Sequence, residues 1–308
     1  MSLNSPRDAS SLSTPSVELD TPFIDNFARR KIQATLFHIM IMMCTIAALA
    51  VLGVLMYRVI TVGLPWLNWS FLTSFPSRVA TRAGVLSALV GSISIISITI
   101  VTSVVLGVGA AIYLEELAPK SRWNRFVELN IANLSGVPSL VYGMLGLAVF
   151  VRLFGFGRSI LAAAMTLSIM ILPVLIISSR EALRAVPAGI RLAAMALGAT
   201  RWQTTWHHIL PAAFPGILTG IILAISRALG EAAPLILVGG VTYIAFLPTS
   251  VFDSFTTLPI QIFNWAERPQ EEFQAIAAAG IMVLLTLVLT TNAVAILLRA
   301  RLENRNKW

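Results

Sequence analysis

Six long apolar stretches punctuate the chain, at about 34–60, 84–114, 131–154, 159–178, 214–241 and 275–298, and polar connectors separate them. Each reaches or exceeds the ~20 apolar residues that cross a bilayer. The pattern predicts an all-α membrane protein with six transmembrane helices. Ahead of the first stretch, residues 1–33 are rich in Ser, Pro and Thr with scattered charges, and predict a disordered tail. That tail lacks the basic start, short apolar core and cleavage site of a signal peptide, so the first span is expected to remain as an anchor. The connectors are too short to bury cores of their own.

The spans differ in their small and polar positions. Span two carries Ser87, Gly91, Ser92, Thr99, Thr102, Ser103 and Gly107, and span three carries Gly136, Pro138, Gly143 and Gly146. Small residues let helices approach closely and hydroxyls bond across them, so both spans should face other helices. In span five, Gly216, Gly220, Ala224, Ala228 and Ala232 recur every four residues, a smooth stripe for close helix contact. Arg227 lies about 60° around that helix from Ala224 and about 100° from Ala228, so it flanks the seam.

Arg227 and Glu231 are the charged residues of the stretch from Phe214 to Val241. At the bilayer centre a charge costs roughly 2.5–3.5 kcal/mol on insertion scales and usually faces protein or a water-filled path. Arg227 falls roughly 18 Å from Pro215, a little past mid-depth of a ~30 Å core. A guanidinium there suits an oxyanion, whose oxygens its fork fits. The plainer reading is a structural i,i+4 ion pair with Glu231. The order base before acid is the less favourable one for such a pair, which favours a water-accessible functional pair.

Composition agrees with a membrane protein. Of 308 residues, 57% are hydrophobic and 12% charged, against about 25% charged in soluble domains. The net charge of +8 reads as topology. With the N-terminus inside, fifteen of the 22 Lys and Arg residues collect on the inner side and six on the outer, with Arg227 in the membrane. The positive-inside rule then places both termini in the cytoplasm and removes the case for a nucleic-acid partner. Cys44 is the single cysteine, so neither a disulfide framework nor a thiol metal cluster is available. Two outer segments, about 61–82 and 242–273, are rich in aromatics, fitting either a belt at headgroup level or a surface that docks an external partner.

The longest inner loop, Ser179 to Pro211, has structure of its own. Pro187 can start a helix. Ile190, Ala193, Ala194 and Leu197 then follow an i, i+3, i+4, i+7 apolar face, and Gly198 ends it as a left-handed terminal residue. Trp202 to Leu210 forms a second short amphipathic piece leading to Pro211. Two short helices bent at a glycine predict a cytosolic knob, with an interfacial amphipathic segment as the alternative.

The run LAAMALGATRWQTTWHHILP resembles the EAA loop of permease subunits in ATP-binding-cassette importers. Ala193, Ala194, Gly198, Leu210 and Pro211 match its register, while Leu192 stands at the acidic position and His208 at the isoleucine. GILTGIILAISRALGEAAPLILVG, AAIYLEELAP, NLSGVPSLVYGMLGLAVF and LPIQIFNWAERPQEEF are similar to phosphate-specific permeases of the PstA type. The resemblance runs through most of residues 84–298. The Ser-Arg-x-x-Gly-Glu-x-x-Pro run carried by Ser226, Arg227, Gly230, Glu231 and Pro234 points to phosphate. A basic residue expected near the end of span four is Ile177 here, with Arg180 one turn away.

The resemblance implies the type I importer permease (MetI-like) fold, with a permease domain over 84–298 and a coupling loop at about 181–211. Residues 34–83 would be the first helix and its outer loop, and 299–308 a cytosolic tail. It implies Arg227, Glu231 and Ser226 as substrate-pathway residues. Ala193, Ala194, Leu197, Gly198, Leu210 and Pro211 would then be the ATPase-coupling residues. The implied partners are a PstC-type permease, two PstB-type ATPases, an external PstS-type phosphate-binding protein and inorganic phosphate. ATP-Mg would sit on the ATPase, and this chain would bind no cofactor. The sequence contains no Gly-x-x-x-x-Gly-Lys-Ser/Thr phosphate loop and no His-Glu-x-x-His zinc motif, so it is expected to be non-catalytic. A permease for sulfate or molybdate, or a secondary transporter without ATPase partners, are the competing readings.

Overall fold

The computed structural model describes residues 27–305 other than Lys120 and Thr242. The tail expected at 1–33 lies outside the described residues as far as 26, and 27–33 are helical. Helix α1 (Phe27–Gly63) supplies a first unit, up to Met56. Its side chains from Arg29 to Leu55 are exposed, as befits a helix clothed by lipid or by another chain.

The second unit, from Tyr57 onward, carries the remaining helices. They are α2 (Trp69–Thr73), α3 (Leu86–Ile112), α4 (Arg122–Ser135), α5 (Ser139–Gly146), α6 (Ile160–Arg184), α7 (Ala188–Ala196), α8 (Arg201–Thr204), α9 (Leu210–Leu229), α10 (Ala233–Val238), α11 (Leu258–Ala266) and α12 (Glu271–Arg305). At its centre, α6 packs against α3 and α9. The hydroxyls of span two do bond across this contact: Thr99 Oγ1 donates to the Ala164 carbonyl at 3.2 Å, and Thr102 and Ser168 hydroxyls meet at 2.6 Å. The stripe on α9 faces α6, with Ala224 and Ala228 buried and Gly220 against Ser178.

Among the described residues five helices are long and apolar enough to span a membrane, or six if α4 and the helix from Ser139 to Leu153 count as one bent span. Two of the expected straight spans are thus interrupted, both at proline. Between α4 and the next helix the chain turns by 105°, with Gly136 at the end of one helix and Pro138 capping the other. Proline removes a helix donor, clashes with the carbonyl four residues back, and keeps its predecessor from helical geometry. The same applies in span five. There Pro234 would clash with the Gly230 carbonyl in a continuous helix, so α9 stops at Leu229 and α10 starts at Ala233.

The outer aromatics answer to neither expectation as a group. Phe71, Phe255, Trp265 and Phe273 are buried, and Phe71 and Trp265 pack with ring centroids 6.0 Å apart. Trp69, Tyr243, Phe246, Phe252 and Phe263 are exposed. Phe71, Trp265 and Phe273 share a core with residues of α3, α11 and α12, whereas Phe255 packs into the central core beside α6 and α9.

Candidate functional site

The break between α9 and α10 sets the charged pair. Arg227 is on the last turn of α9, and Glu231 lies beyond the helix end in the connector. Arg227 Nε stands 3.6 Å from Glu231 Oε1, with side chains 42% and 19% exposed. That separation is outside hydrogen-bond distance. The pair is therefore an open contact that leaves part of the guanidinium on the surface of this chain, beside the buried seam of Ala224 and Ala228.

Three contacts hold the break in place. Ser226 Oγ lies 2.7 Å from Asn292 Oδ1 on α12, one residue before Arg227. Lower on the same two helices, Arg299 Nη1 donates to Thr219 Oγ1 at 2.7 Å. On the other side α10 lies on α5, where a Cβ on Gly143 would come within 2.8 Å of Pro234 Cα. Asn292 escaped the sequence reading. An asparagine in the last apolar stretch is an intramembrane polar residue, and that signal could have found it.

The inner loop forms two short helices around Gly198, whose φ of +87° is the left-handed conformation expected there. Pro187 caps α7 rather than opening it. The apolar face expected from Ile190, Ala193, Ala194 and Leu197 does not turn inward as a unit: Ala194 is buried, whereas Ile190 and Leu197 are exposed, Leu197 by 90%. Ala193 is exposed as well. The helix lies on the surface of its unit, so one flank packs inward and the apolar remainder points out. Thr200 and Gln203 form a capping box that starts α8, as the reciprocal bonding of that motif requires. A wider turn over Thr205–Ile209 carries α8 into α9, with Leu210 half-buried and Pro211 exposed at its start. The helix therefore runs from Arg201 to Leu229. The second arm of the coupling loop and Arg227 thus share one rod, with Arg201 and Arg227 roughly 40 Å apart along its axis.

Ion pairs clamp the base of this loop. Arg191 Nη2 lies 2.6 Å from Glu116 Oε1 and donates to the Leu183 carbonyl at 2.7 Å. The Glu116 hydrogen bond, opposed by partial burial, raises the Arg191 pKa above its usual value, so the guanidinium stays charged. Arg180 bridges Glu115 at 3.2 Å and Glu128 at 2.8 Å. The arginine one turn from Ile177 is thus engaged by two carboxylates. Glu115 and Glu116 were read only as part of a resembling segment.

Several apolar spans, an interrupted helix bearing an exposed arginine, and an inner helix–glycine–helix loop define a multi-span transport subunit. Residues 103–304 match the family model described as "Binding-protein-dependent transport system inner membrane component", and the chain belongs to that family. It is 34% identical over 278 residues to the "Probable ABC transporter permease protein YqgI" of Bacillus subtilis (strain 168), covering 86% of this chain and 95% of that protein. It is 32% identical over 235 residues to the "Phosphate transport system permease protein PstA 1" of Mycobacterium tuberculosis (strain CDC 1551 / Oshkosh), covering 76% of each. Among solved structures, a bacterial alginate ABC transporter superposes with a TM-score of 0.61 at 14% identity, over 86% of this chain and 95% of that one. The MetNI methionine ABC transporter gives 0.56 at 16%, over 69% and 93%. These likenesses establish the MetI-like permease fold. The chain is a non-catalytic, multi-span inner-membrane permease subunit of an ABC importer, a family that works with a separate ATPase and a substrate-binding protein.

Proposed function

We propose that this chain is the PstA-type permease of an ATP-driven phosphate importer. It would pair with a PstC-type permease, two PstB-type ATPases carrying ATP-Mg, and an external PstS-type receptor. The observation that carries the reading is the half-exposed Arg227 at the interrupted end of α9, flanking the buried seam. The phosphate permeases among its relatives supply the substrate. An arginine fork matches phosphate oxygens. The open side of Arg227 would face the path completed by the second permease. Ser226 and Asn292 hold the helix that presents it. Glu231 would partly neutralise the arginine, so that the anion is attracted without being trapped. On the cytoplasmic side, Ala193, Ala194, Leu197 and Gly198 would dock on the ATPase. Leu210 and Pro211 would lie within the rod that carries its motion to Arg227. Both termini would be cytoplasmic.

The test is radiolabelled phosphate uptake by cells making the full transporter, normalised to assembled complex. Arg227→Gln removes the charge and the fork while keeping a polar, helix-compatible side chain. Uptake should be lost with assembly intact, and the double change Arg227→Gln with Glu231→Gln should not restore it. Near-normal uptake by the double variant would reduce the pair to a structural one, because removing both charges leaves none uncompensated.

A further inference from the structure

Thr257 occupies the N-cap of α11, yet its hydroxyl caps nothing. An N-cap threonine ordinarily accepts from the N–H of the second or third helical residue. In α11 the second is Pro259, which has no N–H. Thr257 is 2% exposed, and its Oγ1 has no hydrogen-bond partner among the described residues. A buried hydroxyl left this way is destabilising, so a hydrogen-bonding role in another state of the protein would account for it.

An acceptor that borders the same space is Glu231. Thr257 and Glu231 line the same small cavity, of about 10 Å³, together with Ser92, Ala228 and Leu235. Ser92 Oγ already accepts from the Leu258 N–H at 2.9 Å. Glu231 thus stands 3.6 Å from Arg227 and also borders a water-sized space. That space is bounded by Thr257 and the positive end of α11.

We propose that Thr257 is the second seat of the Glu231 carboxylate. The inference rests on Arg227 contacting the transported anion. When phosphate takes the guanidinium, a carboxylate held beside it is repelled. Glu231 then crosses the cavity and accepts a hydrogen bond from the Thr257 hydroxyl. When phosphate leaves, Glu231 returns to Arg227, so the carboxylate keeps a partner group in either state. Thr257 is a positioning residue: it acts through Glu231 and never touches the anion.

The experiment compares Thr257→Val and Thr257→Ser in the complete transporter. It reads phosphate uptake rate against phosphate concentration, complex yield and basal ATPase activity. Valine keeps the shape and removes the hydroxyl. Maximal uptake should fall about tenfold, the scale of a lost hydrogen bond to a charged group. Yield and basal ATPase should hold, and serine should restore uptake. A valine variant that transports at the wild-type rate overturns the proposal. So does one whose loss is matched by lost complex, or shared by the serine variant, since either marks a packing role. If Thr257→Val is normal while Arg227→Gln is dead, only the second seat falls. If Arg227→Gln transports normally, the pathway reading itself has failed.

Discussion

Ser226 Oγ lies 2.7 Å from Asn292 Oδ1 on α12 and 2.8 Å from the Ile222 carbonyl on its own helix. A hydroxyl has one proton, so these acceptors share it. The contact pins α9 to α12 immediately before Arg227, where the helix is about to end. Without that tie the last turn, closed only by the Gly230 N–H on the Arg227 carbonyl at 3.1 Å and the Glu231 N–H on the Ala228 carbonyl at 3.3 Å, would fray more readily.

The tie can be measured. In a double-mutant cycle with Ser226→Ala and Asn292→Ala, thermal unfolding of the purified complex should reveal a coupling of about 0.6 kcal/mol, the average for hydrogen bonds between membrane helices. Both single variants should lower phosphate uptake with normal assembly. Strictly additive effects on unfolding would show that the two side chains do not act together.

The α5–α10 contact makes a second prediction. A Cβ on Gly143 would lie 2.8 Å from Pro234 Cα and 3.0 Å from its carbonyl oxygen, and these are backbone atoms that cannot swing aside. Gly143→Leu should therefore displace α10 and the connector that holds Glu231, at about 1–3 kcal/mol for overpacking, and lower both unfolding temperature and uptake. Gly109 on α3 has nothing within 4 Å of where a Cβ would go. Gly109→Ala should be neutral or slightly stabilising by helix propensity. Equal damage from the two variants would argue against a specific contact at Gly143.

Much of this was legible in the chain because hydropathy reports burial in lipid directly, and because a glycine–alanine stripe admits few uses in a long helix. The stripe from Gly220 to Ala228 does face α6, and Gly198 does take the left-handed turn. The breaks at Pro138 and Pro234 were missed for one physical reason. Prolines are tolerated inside membrane helices when neighbours satisfy the freed carbonyl; α6 keeps Pro173 in its interior. Which prolines break a span depends on packing that hydropathy cannot see. Asn292 and Glu116 belong to the same class, since their partners Ser226 and Arg191 lie on elements remote in sequence.

Coupling makes a third prediction. At Gly198 a Cβ would meet nothing within 4 Å, so the cost of Gly198→Val is backbone strain at φ +87°, about 1–2 kcal/mol. The strain falls on the bend between α7 and the rod that reaches Arg227. The variant should insert and pair with the second permease, yet lose the ATPase stimulation that loaded receptor gives the wild type. Gly198→Asn should lose less, because asparagine enters the left-handed region more readily. Full stimulation in the valine variant would remove the bend from the coupling mechanism.

Orientation is the last prediction, and burial decides which probes report it. Thr256 lies in the outer segment expected from the charge pattern but is 1% exposed, so a cysteine there would stay silent on either side of the membrane. Ala245 and Thr200 are both exposed. Exposed Cys44 must first be replaced, by Cys44→Ser, to leave a clean background. In intact cells Ala245→Cys should react with a membrane-impermeant maleimide, while Thr200→Cys should react only after permeabilisation. The inverse pattern would put Leu197, Gly198 and the loop they belong to outside the cell. No ATP-driven partner could reach the loop there, and the coupling role would fall with the topology.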